Sequence, residues 1–368
     1  MNLQLDAPNI GIIEKEWVMK CLDSTFVSTY GPFVGEFELA IKSFTGAPAV
    51  TAVQSGTAGL FMALRESGVG PGDEVILPNI TFAASVNSVL YTGATPVLVD
   101  VDEATWNIST KAIKEAISDK TKAILAVHLY GNPCDMDEII SIAKQKDLIV
   151  IEDATESLGA YYKKAHTGTI GDFGVLSFNG NKVITTASGG MVLSHDQETA
   201  NHIHYVVNQA KDNRPYYFHS ELGYNYRMTN LQASLGLAQV ERLPSFLQIK
   251  KRHFDIYKQV LGAMPQVVFQ SVLDQATSST WLIAIRIKGV KDITKLQSLL
   301  KDKGVPTRRL FTPLSEMPIY TTYADGKQEV AHKLFSEVIC LPSSTLNSDE
   351  DIRQAAGVVS QVIQKERI

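Results

Sequence analysis

Between about residues 50 and 195, short apolar runs alternate with stretches of helical spacing, the pattern of parallel strands joined by crossover helices. The runs are AVTAV at 49–53, EVILP at 74–78, PVLVDV at 96–101, AILAVHLY at 123–130 and LIVIED at 148–153, each followed or preceded by Gly, Pro or Asn. They predict a largely parallel sheet. Two further runs, FGVLSF at 173–178 and GMVLS at 190–194, stand too close together for a full crossover helix, so an antiparallel member and a mixed sheet are expected.

From about Leu243 the pattern changes. In FLQIKKRHFDIYKQVL the apolar positions Phe246, Ile249, Phe254, Tyr257 and Leu261 have helical spacing, and the length suits a helix bridging two domains. A smaller α+β unit is predicted to follow, with the strand WLIAIRIKG from Trp281, the helix ITKLQSLLKDKG from Ile293, and a last helix entered through SSTLNSDED. Ser348 followed by Asp351 gives that helix a capping-box-like start. The division expected is a large domain over 1–242 and a small one over 243–368. No internal repeat or low-complexity tract is seen.

Composition narrows the possibilities. The 368 residues, 45% hydrophobic, are enough for a substantial core and for roughly two to three domains. A formal net charge of −5 gives no basic excess for broad nucleic-acid binding. Cys21, Cys134 and Cys340 are odd in number and far apart, which suggests neither a disulfide framework nor a thiol metal site and fits a reducing cytosol. The start MNLQLDAPNIG does not resemble an export signal, and no run approaches the roughly 18 apolar residues of a membrane span. A cytoplasmic protein without metal is expected.

Four stations along the chain carry chemistry. Gln54-Ser55-Gly56-Thr57-Ala58 joins a strand to a helix, where free N–H groups and a glycine make an anion site of monophosphate size; the plainer reading is a capped turn. Neither GxxxxGK[ST] nor GxGxxG is present, which removes the main support for a triphosphate or dinucleotide site. Phe82, in PNITFAAS, offers a flat face for stacking or a core side chain. Asp153 ends LIVIED, at the strand end where open α/β sheets bind ligands, and a carboxylate there can hold a pyridine nitrogen protonated. Lys182 follows Ser177 in SFNGNK, a polar loop from which an amine can reach a cleft and form a Schiff base. Singly each has an ordinary structural explanation; in this order, at strand ends facing one crevice, they describe a pyridoxal phosphate site.

These residues resemble the DegT/DnrJ/StrS family of sugar aminotransferases, a branch of the fold-type I enzymes that use pyridoxal 5′-phosphate (PLP). The likeness runs nearly end to end through SGTAGL at 55–60, PGDEVILPNITFAAS at 71–85, HLYGNP at 128–133, EDATESLGA at 152–160, GTIGDFGVLSFNGNKVITTASGGM at 168–191, GYNYRMTNLQASLGLAQ at 223–239 and ICLPSS at 339–344. The resemblance implies a mixed, mostly parallel seven-stranded sheet flanked by helices, with a smaller C-terminal α+β domain. It places the cofactor-bearing lysine on Lys182, the pyridine-nitrogen carboxylate on Asp153, the stacking aromatic on Phe82 and phosphate contacts on Gly56, Thr57 and Ser177. Asn225, in GYNYR, is expected to reach the partner's cofactor phosphate in a homodimer with shared active sites.

Two positions vary in the family. Glu156 stands where Gln or His is frequent and is expected near the cofactor's phenolic oxygen, and Asn179 stands where Ser-Phe-His is common. Together they are similar to members that aminate carbon 4 of 4-keto-6-deoxy nucleotide sugars, especially a UDP-linked 2-acetamido sugar, for polysaccharide or glycan synthesis such as that of O-antigen. Glutamate is the implied donor, with pyridoxamine 5′-phosphate as the intermediate form and Lys182 shuttling the proton. A dTDP- or GDP-linked substrate and amination at carbon 3 stay open. A 3-dehydratase is disfavoured because such enzymes have histidine at the position of Lys182, and a non-catalytic scaffold because such proteins are expected to lose the lysine or the aspartate. Arg227, Arg308 and Arg309 are candidates for pyrophosphate or donor carboxylates. Ser28, Thr29 and Tyr30, with His128 or His219, are candidates for the sugar pocket.

Overall fold

The computed structural model describes residues 3–365. Its main sheet has seven strands in the order β1-β9-β8-β5-β4-β2-β3: β1 (Ala49–Val53), β2 (Glu74–Pro78), β3 (Thr95–Val99), β4 (Thr121–Val127), β5 (Ile149–Asp153), β8 (Phe173–Ser177) and β9 (Gly190–Ser194). Only β9 runs against its neighbours, β1 and β8. The mixed sheet expected from the short spacing of the last two runs is therefore present, and β9 is its antiparallel member. A short sheet joins β6 (Tyr161–Tyr162), β7 (Ala165–His166) and β11 (Ala276–Thr277), and a four-stranded one joins β10 (Val267–Phe269), β12 (Ile283–Ile287), β14 (Val338–Leu341) and β13 (Arg308–Arg309).

The helices are α1 (Ile12–Asp23), α2 (Phe33–Thr45), α3 (Gly56–Glu66), α4 (Ala83–Tyr91), α5 (Thr110–Ala116), α6 (Met136–Lys146), α7 (Gln197–Val207), α8 (Asn230–Leu261), α9 (Ile293–Asp302), α10 (Glu329–Glu337) and α11 (Asp349–Lys365). Strands β2 and β4 are buried almost throughout because crossover helices cover the sheet. The last helix starts as its sequence predicts: the Asp351 amide donates to Ser348 Oγ at 3.1 Å, and Ser348 Oγ donates to the Asp351 carboxylate at 2.7 Å.

The long helix differs from expectation. It begins at Asn230 rather than near Leu243, with Thr229 and Gln232 forming a capping box, and runs for 32 residues through Pro244. Its first turns carry Ala233, Ser234, Gly236 and Ala238 on the buried side, small residues that give little apolar signal. They are small because α2 lies close: a Cβ on Gly236 would come within 2.7 Å of the Phe37 ring. The division drawn between 242 and 243 falls inside this helix.

Candidate active site

The carboxyl ends of β2, β5 and β8, together with the start of α3, meet around a cleft of about 310 Å³. Open parallel sheets bind ligands at this edge because the strand ends and helix starts leave polar backbone groups facing one crevice. Gly56, Thr57, Phe82, Asp153, Glu156, Ser177, Lys182 and Arg308 all line it.

At one end Ser55 caps α3, its Oγ accepting the Ala58 amide at 3.1 Å. Gly56 and Thr57 are the first helical residues, so no carbonyl of the helix can accept their N–H groups. The backbone here is tightly packed. A Cβ on Gly56 would lie 2.9 Å from Ser177 Cβ, and one on Gly190 would lie 2.7 Å from the Ser55 carbonyl carbon and 2.8 Å from the Gly56 nitrogen. The result is a small recess rimmed by amides and hydroxyls.

In the middle stands Asp153, almost fully buried at the end of β5. Ser85 Oγ donates to its Oδ2 at 2.7 Å, and the Thr155 amide donates to Oδ1 at 3.2 Å. Because the single Ser85 proton is directed at the carboxylate, the 2.8 Å contact between Thr81 Oγ1 and Ser85 Oγ has Thr81 as donor. Phe82 precedes α4 with 60% of its surface exposed, which is unusual for a phenylalanine and leaves its face open to the cleft.

At the far end the Lys182 amine lies 3.7 Å from Glu156 Oε1 and 3.8 Å from the centre of the Trp281 ring. Burial lowers the Lys182 pKa although Glu156 and Asp153 oppose it. Burial likewise pushes Glu156 up to about 7, against the pull of Lys182 and of the Tyr130 amide, which donates to Glu156 Oε2 at 2.9 Å. That amide is aimed by an uncommon backbone: Tyr130 has φ 57° and is followed by Gly131 at φ 90°. Trp281 is fixed in turn, its Nε1 donating to the Asn181 carbonyl at 2.6 Å.

Several residues singled out by sequence lie elsewhere in the chain. His128 is fully buried beneath the site: its Nδ1 accepts the Cys134 amide at 3.0 Å, so Nε2 carries the proton and donates to Glu152 at 2.9 Å. Glu152 also accepts the amides of Gly168, Ile170 and Gly171, which fixes the loop leading into β8. Arg309 donates to the Phe335 carbonyl at 2.6 Å and stacks on the Phe335 ring, and Arg227 forms a bridge with Val53. Neither lines the cleft. Ser28, Thr29 and Tyr30 form a largely exposed segment outside it, and His219 binds the Gln209 carbonyl. Asn225 is exposed, bridges Asn208, and does not reach its own chain's cleft.

Sequence reasoning passed over Ser85, Thr81, Trp281 and Asp6. The first two lie within the PNITFAAS motif and carry hydroxyls that signal nothing without the fold. Asp6 comes from the far N-terminal segment and pairs with Arg308 at 2.8 Å.

The set fits PLP on its own chemistry. Amides and hydroxyls suit a phosphate, the open Phe82 face suits a ring, the buried Asp153 suits a cationic ring nitrogen, and the Lys182 amine suits an aldehyde.

Comparison with known proteins agrees. The model of the DegT/DnrJ/EryC1/StrS aminotransferase family matches residues 8–360. The chain is 40% identical over 345 residues to a GDP-perosamine synthase of Escherichia coli O157:H7, covering 94% of each. It is 38% identical to a GDP-perosamine synthase of Caulobacter vibrioides, covering 98% of each. In three dimensions it is similar to Spr1654 of Streptococcus pneumoniae in its PLP form, with TM-score 0.95, 28% identity and 99% of each chain covered; that protein was also solved in a PMP form.

Proposed function

The chain belongs to the DegT/DnrJ/EryC1/StrS aminotransferase family, which includes PLP-dependent sugar aminotransferases, and on that premise we propose that it moves the amino group of glutamate onto carbon 4 of a GDP-linked 4-keto-6-deoxy sugar. The observation that carries the transaminase reading is the convergence of Lys182, Glu156 and Asp153 in one cleft with the Lys182 amine beside the Glu156 carboxylate. The two GDP-perosamine synthases support the GDP linkage over the UDP linkage preferred from sequence. The UDP-linked 2-acetamido sugar is kept as a second reading because Glu156 and Asn179 both line the cleft.

Bound here, PLP supplies the carbonyl that takes up the amino group and an electron sink for the carbon that loses its proton. The chain's own residues do the rest. Gly56, Thr57, Ser55 and Ser177 hold the phosphate. Asp153, supported by Ser85 and Thr155, holds a proton on the ring nitrogen. Lys182 is the amine that would hold the cofactor's aldehyde, and its Nζ would be the base that takes a proton from the donor carbon and the acid that gives one to the sugar carbon. Its lowered pKa favours the unprotonated amine that this role needs. Glu156, 3.7 Å from Nζ and with its pKa raised to about 7, would take or give a proton beside that amine.

The active form is read as a homodimer. Asn225 is exposed on the segment bridged to Asn208, which is compatible with its contacting a partner's phosphate site. Exposed Ile12, Met19, Leu22, Phe26 and Tyr30 supply apolar surface for such a contact. A cytoplasmic setting matches three buried free cysteines.

The test incubates the purified protein with PLP, glutamate and a panel of GDP-, UDP- and dTDP-linked 4-keto-6-deoxy sugars. Mass spectrometry scores each product and NMR locates the new amine. Conversion of the GDP sugar at carbon 4 with the highest kcat/KM supports the reading, whereas preference for the UDP sugar, or amination at carbon 3, replaces it.

A further inference from the structure

Arg308 already holds a carboxylate. Its two Nη atoms meet the two oxygens of Asp6 at 2.8 and 3.1 Å, the fork geometry by which arginine also grips a ligand carboxylate. Asn181 Nδ2 adds a third contact to Asp6 at 3.1 Å, and Asn181 directly precedes Lys182. Arg308, Asn181 and Lys182 all line the cleft, so the pair stands at the reacting end.

The segment bearing Asp6 is fixed on either side. The Ser343 amide donates to the Leu5 carbonyl, Ser344 Oγ donates to the Ala7 carbonyl, and Asn347 exchanges two hydrogen bonds with Gln4. The backbone is thus held while the short Asp6 side chain can leave Arg308 by rotation about its own bonds. Arg308 has 41% of its side chain exposed, against 14% for Asp6, so a carboxylate arriving through the cleft can approach the guanidinium.

A transaminase working in two halves must accept, at one place, a dicarboxylic donor and then a sugar ring that carries no charge. An arginine placed for the donor would face the sugar with its charge unpaired, a modest cost at 41% exposure, on the scale of a partly exposed ion pair. We propose that Asp6 is the exchangeable counter-ion of Arg308: it yields the guanidinium to the donor's carboxylate and returns to it when the uncharged ring of the nucleotide-linked keto sugar occupies that end of the cleft. This rests on the proposed sugar-aminotransferase function and on taking Arg308, one of the candidates for pyrophosphate or donor carboxylates, as the donor-carboxylate residue. Asp6 therefore sets specificity between the two substrates, weakening the donor and favouring the sugar.

The probe is glutarate, a dicarboxylate with no amine to react, titrated calorimetrically into the PLP-loaded enzyme. Asp6→Asn tightens glutarate about two- to fivefold, the scale of a partly exposed ion pair. The same variant needs a correspondingly higher keto-sugar concentration for half-maximal single turnover, an opposed pair of effects that a merely structural role does not give. Asp6→Glu keeps the charge and stays within about twofold of wild type in glutarate affinity. Arg308→Met weakens glutarate at least about tenfold. If Arg308→Met binds glutarate as wild type does, the underlying reading of Arg308 fails. If Arg308→Met weakens glutarate but Asp6→Asn leaves it unchanged or weakened, or tightens the nucleotide sugar instead, the counter-ion role of Asp6 is overturned while that reading stands. Tightening by Asp6→Glu equal to that by Asp6→Asn overturns it as well. Should Asp6→Asn not fold, Asp6→Ser carries the same test.

Discussion

Lys182 and Glu156 face each other across 3.7 Å with both groups displaced from their ordinary titration ranges, the amine downward and the carboxyl up to about 7. Burial drives both shifts, and the attraction between the charged forms only moderates them. The two shifts bring the titration ranges of the amine and the carboxyl closer together than in a free lysine and glutamate, which favours proton exchange between them.

The displacement of Glu156 has a stability consequence with a definite sign. Its folded pKa lies above the ordinary 4.5, so its contribution is fully present below about that pH and is lost as pH rises through about 7. Glu156→Gln has no such carboxyl to ionise. Urea unfolding of cofactor-free protein should show the variant gaining on wild type between pH 4.5 and 7, by at most about 3 kcal/mol. A difference that is flat over that window contradicts the shift.

Asp153 and Ser85 act in series. Asp153→Asn removes the charge that keeps the ring nitrogen protonated and should lower kcat by roughly 10² or more. Ser85→Ala removes one donor to that carboxylate and should cost about tenfold. Steady-state kinetics on both, and on the double variant, check the order. If Ser85→Ala slows the Asp153→Asn enzyme as much as it slows wild type, the serine does not work through the aspartate.

Gly190 gives the phosphate recess its shape from behind. Its Cβ would meet the Ser55 carbonyl carbon and the Gly56 nitrogen below 3 Å, which forces the start of α3 to move. Gly190→Ala should raise the dissociation constant for PLP at least about tenfold. Gly70→Ala, at a glycine with no atom within 4 Å of the added carbon, should leave it unchanged. Titration followed by the cofactor's absorbance compares the two, and equal effects would contradict the role given to the recess.

The parts of this architecture that sequence shows are those made of contiguous runs. Strands β1 and β2 occupy the residues their apolar runs predict, because crossover connections bound them with turn residues. The antiparallel β9 was legible from its distance to β8. The start of α8 was not, since small residues packed against Phe37 hide the amphipathic stripe before Leu243. Within the site, Lys182, Asp153 and Phe82 could be read from motif order. What joins them could not: the Ser85 hydroxyl on Asp153, the Trp281 ring under Lys182 and the Asp6 carboxylate on Arg308 all depend on contacts distant in sequence. Arg308 and Arg309 are indistinguishable as neighbours in a sequence, yet strand alternation in β13 sends one to the cleft and the other to Phe335.

The central claim is that Lys182 carries the cofactor, and covalent trapping tests it directly. PLP-loaded protein is reduced with borohydride, digested and mapped by mass spectrometry. The account predicts a single phosphopyridoxyl group on the peptide containing Lys182, and none after Lys182→Ala. A label on another lysine, or no label on holoenzyme that is active and still yellow, would contradict it.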